Sequence, residues 1–91
     1  MEKEGQITAI SKLILTKLIN MNKWGGAHTE IRNITKGLPS RYVMTSQGKK
    51  LVQNAIKLLI NKQLLFAKPS TGEVHVSLNP HKSKEIMEFL K

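Results

Sequence analysis

The 91-residue chain contains no cysteine and no aspartate. The first absence excludes disulfides, thiolate metal sites, iron–sulfur clusters and a cysteine nucleophile. The second leaves six glutamates as the only acids, scattered along the chain. Metal-dependent nuclease chemistry would want clustered carboxylates, and none are present. Aromatic residues number four, Trp24, Tyr42, Phe66 and Phe89, which is too few for a surface that stacks single-stranded bases. The longest apolar run, 64–67, is four residues, far short of the roughly 20 that span a bilayer. The opening MEKEGQ is polar and has no signal-peptide core. Gly25-Gly26 lacks the GxGxxG or GxxxxGKS/T context of a phosphate loop. The expectation is a soluble, cytoplasmic protein with no membrane partner, no cofactor and no enzymatic activity.

What the chain does have is positive charge. It carries 15 basic and 6 acidic side chains, a formal +9. Between Gly5 and Gly72 there are eleven basic residues, and only Glu30 opposes them, a net +10. The remaining acids sit toward the ends: Glu2, Glu4, Glu73, Glu85 and Glu88. A basic middle of this kind suits a polyanionic partner better than a small substrate. The length allows one domain, 1–91, with no separate catalytic lobe. A chain this small buries only about two-thirds of its unfolded surface, so most of its apolar residues are needed in the core.

Apolar periodicity predicts a first helix over ITAISKLILTKLINM, with Ile7, Ile10, Ile14, Leu18 and Met21 as its stripe and Leu13, Leu15 and Ile19 widening it. Trp24 is expected to plug the core where Gly25-Gly26 stop that helix. Thr29 is the expected N-cap of a short second helix, with Glu30 in its first turn. Ile31, Ile34 and Leu38 give that helix its apolar face. A third helix starts near Thr45 or Ser46 and buries Leu51, Val52, Ala55, Ile56 and Leu59. Gly48 costs it about 1 kcal/mol of propensity relative to alanine, so an irregular start is expected. LLFAK and EVHVSL read as strands joined by the turn PSTG, where Pro69 and Gly72 suit the geometry. Asn79-Pro80 opens a last helix with Ile86, Phe89 and Leu90 inward. The order is α–α–α–β–β–α, with one short strand at Ala27-His28.

Opposite the leucine stripe of the third helix, Lys50, Asn54, Lys57 and Asn61 share one face, flanked by Lys49 and Gln53. Lysine suits guanine O6/N7 or phosphate, and Asn or Gln can pair bidentately with adenine. Ser46, Gln47, Lys49 and Lys50, nearest the helix start, would reach bases or phosphates first. Such residues also populate any solvated helix face. The hairpin that follows and the acid-poor middle turn the reading toward nucleic acid. In the hairpin, Pro69 and Gly72 are explained by geometry, leaving Lys68, Ser70 and Thr71 as candidate phosphate contacts. Arg41-Tyr42 suits a phosphate clamp or a base-stacking pair, although a lone tyrosine more often packs. His28, His75 and His81 show no HxxxH spacing, so no metal site is expected. A short strand carrying His28 beside His75 would bring those two together across a sheet.

HTEIRNITKGLPS, the GKKLVQNAIKLLINKQLL helix and the GEVHVSLNPHKSKEIMEFL ending together resemble the winged helix-turn-helix superfamily, and within it a group of small archaeal winged-helix proteins. The resemblance covers almost the whole chain. It implies an α+β fold of three helices, a β-hairpin wing and a C-terminal helix, in which VSLNP closes the wing. It also implies binding of double-stranded DNA, with transcription regulation as the role, and frequent homodimers, for which Met87, Phe89 and Leu90 offer the face. RNA or an acidic protein remain the alternative partners. One departure is the 37–45 segment, longer than the three- or four-residue turn of a compact helix-turn-helix.

Overall fold

Helix α1, Lys3–Asn20, buries Ile10, Ser11, Ile14, Leu15 and Leu18 along one side. The structure, a computed structural model, describes residues 3–91, without the side chain of Ser70. Leu13, expected to widen the apolar stripe, is instead 42% exposed. The helix also ends earlier than the paired glycines suggested. Asn22 adopts φ 58°, Lys23 N–H donates to Leu18 O at 3.0 Å, and Asn22 N–H donates to Ile19 O at 2.9 Å. That is a Schellman close, with asparagine in the left-handed position. The glycines serve a different contact. Trp24 bridges to Leu78 in parallel, and Gly25, at φ 59°, donates its N–H to Leu78 O at 2.9 Å.

Strand β1 is Thr29–Glu30, two residues later than the expected Ala27-His28. Thr29 is therefore a strand residue rather than a helix cap; its hydroxyl accepts from Asn33 Nδ2 at 3.0 Å. Helix α2, Ile31–Thr35, begins directly afterwards with Glu30 at its N-cap and no side-chain cap bond. An extra helix not expected from the sequence, α3 (Ser40–Val43), fills the long connection. Only Met44 and Thr45 then separate it from α4, Ser46–Asn61.

Thr45 caps α4: its Oγ1 accepts from Gly48 N–H at 2.9 Å and donates to Arg41 O at 3.2 Å. Contrary to expectation the helix start is regular, and Gly48 is buried in it together with Val52, Ala55 and Leu59. Gln63, at φ 64°, ends α4 in a second Schellman close, with Leu64 N–H donating to Leu59 O at 3.0 Å.

Strands β2 (Leu65–Ser70) and β3 (Glu73–Leu78) pair antiparallel from Leu65↔Leu78 to Ser70↔Glu73. Pro69 and Ser70 thus lie in the strand, and the turn is only Thr71-Gly72, with φ 34° and 78°, as a type I′ hairpin turn requires. Pro69 is tolerated because β2 is an edge strand of the β1-β3-β2 sheet. Asn79 fastens the far end of the hairpin. Its Nδ2 donates to Gln63 O at 2.8 Å, and its Oδ1 accepts from His81 N–H at 3.0 Å. A 3-10 turn, Pro80–Lys82, leads into α5, Ser83–Leu90, which buries Ile86. The described residues form an α+β fold of five α-helices and a three-stranded antiparallel sheet. Its core joins α1, α4, the sheet and α5 through Ile14, Leu18, Leu59, Val76, Leu78 and Ile86.

Candidate nucleic-acid interface

Because Gly48, Val52, Ala55 and Leu59 turn one side of α4 inward, Ser46, Lys50, Gln53 and Lys57 form its crest, and all are exposed. Asn54 and Asn61, also exposed, stand on the shoulder toward α1. There Asn54, Lys57 and Asn61 border a groove with Glu4, Ile7, Thr8 and Phe89. Nearer the helix start, Gln47, Lys50 and Asn54 border Lys3 and Gln6. On the opposite shoulder Lys49 and Gln53 border Ile31, Thr35, Tyr42 and Val43. The helix therefore carries the expected Lys, Gln and Asn residues outward. The carboxylate of Glu4 on the α1 side would repel a phosphate there.

Arg41 joins this group from α3. Its guanidinium carbon lies 4.6 Å from the centre of the Tyr42 ring, and its Nη2 donates to Tyr42 Oη at 3.3 Å. A cation–π contact of this kind is worth about 0.5–1 kcal/mol at an exposed site. Tyr42 is 5% exposed, so it cannot stack on a base; it serves instead as the shelf on which Arg41 rests. With Trp24 and Phe89 half-buried against the core, Phe66 is the most exposed of the aromatic residues at 44%.

The hairpin candidates separate from the helix candidates. Lys68 pairs with His75 across the outer face of the sheet, and Thr71 sits in the tip turn. The side chain of Ser70 lies outside the described residues. The C-terminal trio does not form one exposed face: Phe89 and Leu90 pack on the core, leaving Met87 exposed.

One feature, the pairing of Arg32, escaped the sequence reading. Arg32 is held by Glu30 at 2.8 Å and by Glu73 at 3.0 Å, so it is a committed cation within the basic middle. Its hydrogen bond holds the Glu30 carboxyl below the usual carboxylate range, and Glu30 raises the Arg32 guanidinium in turn. His28 and His75 are in contact, with their Nδ1 atoms 2.9 Å apart. The conditional sequence reading of these two histidines is thus realised, although β1 begins one residue after His28.

No helix among the described residues is long and apolar enough to cross a membrane. No family model matches this chain, and no curated protein or solved structure matches it either.

Proposed function

We propose that this chain is a winged helix-turn-helix protein that binds double-stranded DNA and acts as a transcriptional regulator. In this reading α3 and α4 are the helix-turn-helix, α4 enters the major groove, and the β2–β3 hairpin is the wing on a neighbouring backbone. The observation that carries the proposal is the charge at the start of α4. Helix N-termini favour Asp or Glu, and a cation there costs about 0.3–1 kcal/mol. Here the first turn has no acid, while Lys49 and Lys50 stand just inside it and Arg41 just before it. A bound phosphate would turn that repulsion into attraction, because free helix amides and basic side chains would meet the same anion.

Shape supports the same reading. The two-residue link between α3 and α4, and the hairpin that follows α4, give a helix and a ribbon in close succession.

The test is selection of bound sequences from a random duplex pool at stated salt, with structured RNA as competitor. Enrichment of a common site, resistant to RNA, supports a sequence-reading DNA regulator. Equal competition by RNA moves the activity to RNA. Binding to neither leaves an acidic protein as the partner and overturns the proposal.

A further inference from the structure

The outer face of the sheet holds a pair of imidazoles that the proposed DNA interface does not use. Register sets Glu30, His75 and Lys68 side by side on β1, β3 and β2. His28 precedes Glu30 by two residues and falls on the same face. Its Nδ1 lies 2.9 Å from His75 Nδ1, with ring centroids 4.9 Å apart and planes at 65°. The two residues are 47 positions apart in sequence, so the fold, and no local motif, creates the pair.

At this distance one Nδ1 must carry a proton and the other must offer its lone pair. The same two nitrogens can instead direct both lone pairs at one ion. Two imidazole nitrogens bound at 2.0–2.1 Å with a tetrahedral angle stand about 3.3 Å apart. The pair is short of that by about 0.4 Å, which small side-chain rotations supply. The only chemical change is tautomeric: the shared proton moves to Nε2 of its own ring, and both rings stay neutral.

We propose that His28 and His75 form a two-imidazole site for a divalent transition ion of the zinc, nickel and copper class. No group of three or more His, Cys, Asp or Glu ligands gathers among the described residues, so water would complete the coordination. Selectivity then follows from donor type. Imidazole favours these ions over magnesium and calcium, which want oxygen. Charge does not select, because Glu30 and Glu73 on this face are balanced by Arg32 and Lys68. A bound ion would staple the entry of β1 to the middle of β3.

The experiment titrates the untagged chain with zinc chloride, nickel chloride and magnesium chloride separately. Calorimetry gives stoichiometry, and the histidine ring protons are followed by NMR. Zinc and nickel are expected to saturate at one ion per chain, shifting His28 and His75 together and leaving His81 in place, while magnesium does nothing. His28→Ala and His75→Ala should each weaken binding at least tenfold, with the double substitution no weaker than the weaker single one. His81→Ala should bind as the parent does. Circular dichroism of each variant, whose substitutions are at solvent-accessible positions, checks folding. Absence of saturable binding, shifts centred on His81, or undiminished affinity in both single variants would leave the pair as a hydrogen bond only.

Discussion

Gly48 of α4 lies against the backbone of Tyr42 in α3: a Cβ built on Gly48 would fall 2.6 Å from Tyr42 Cα and 2.8 Å from its carbonyl carbon. Backbone cannot rotate aside as a side-chain tip can, so this glycine sets the spacing of the two helices. Gly48→Ala gains about 1 kcal/mol of helix propensity, while overpacking typically costs about 1–3 kcal/mol. The Arg41 carbonyl oxygen stands closer still, and all three atoms struck are backbone, so the steric loss should win. Gly48→Ala is expected to lower stability by up to about 2 kcal/mol in urea unfolding. A gain in stability would mean that α3 retreats freely from α4.

Ser11 shows the opposite case. It is fully buried in α1, and among the described residues its Oγ has no hydrogen-bond partner. A buried polar group left so costs about 1–3 kcal/mol, and serine is also a weaker helix former than alanine. Ser11→Ala should therefore stabilise the protein by about 1 kcal/mol, raising the unfolding midpoint with an unchanged slope. A loss of stability would reveal a hydrogen bond made by that hydroxyl.

At the hairpin tip Thr71 takes φ 34°. A β-branched residue there is strained, whereas Asn is the usual first residue of such a turn. Thr71→Asn is expected to stabilise the fold by about 0.5–1 kcal/mol, part of the roughly 1–2 kcal/mol cost of a left-handed residue. Unchanged or reduced stability would show that the turn does not hold this geometry in solution.

Much of this architecture was legible because local chemistry and packing agree. The Thr45 cap and the Asn79-Pro80 cap, which opens a 3-10 turn ahead of α5, each follow from residues within four positions of one another. The expected α4 stripe holds at Val52, Ala55 and Leu59, with Leu51 and Ile56 half-buried. What was hidden depends on distant partners. Gly48 reads as a weak helix residue until Tyr42 is set beside it. Thr29 reads as a cap until Val76 takes it into the sheet. The end of α1 was misread because glycine is the usual left-handed residue, and Asn22 performs that role here. At the site, the outward direction of Lys50, Gln53 and Lys57 came from periodicity alone. The burial of Tyr42, the commitment of Arg32 and the meeting of His28 with His75 needed the tertiary structure.

Salt dependence tests whether charge drives the proposed binding. Each phosphate contact contributes about −0.9 to the log–log slope for B-form DNA. The cations available are Arg41, Lys49, Lys50 and Lys57 around α4, and Lys68 on the hairpin. With all five engaged, a slope of about −4 to −5 per protomer is expected. Arg32→Gln should leave that slope unchanged, because its guanidinium is already held by Glu30 and Glu73. Affinity that is flat between low and physiological salt would remove the electrostatic argument, and a shallower slope for Arg32→Gln would put Arg32 on phosphate.

The last prediction separates base reading from general charge on α4. Asn54 and Lys57 are three residues apart, both exposed, and both border the groove shared with Glu4 and Phe89. Asn54→Ala preserves net charge, so nonspecific binding should hold. If its amide pairs with a base, affinity for the best selected site should fall by about 1–3 kcal/mol, with relaxed preference at one position. Lys57→Ala should weaken all duplexes alike and reduce the salt slope by about one unit. Both variants are to be measured on the selected site and on a scrambled duplex, alongside Gln53→Ala, whose side chain stands nearer the crest. Selectivity lost through Gln53 and kept in Asn54→Ala would mean that the groove is read from the crest, with the α1 shoulder held away by Glu4. Equal losses on both duplexes for all three would mean that α4 acts as a basic surface only, and the sequence-reading role would fail.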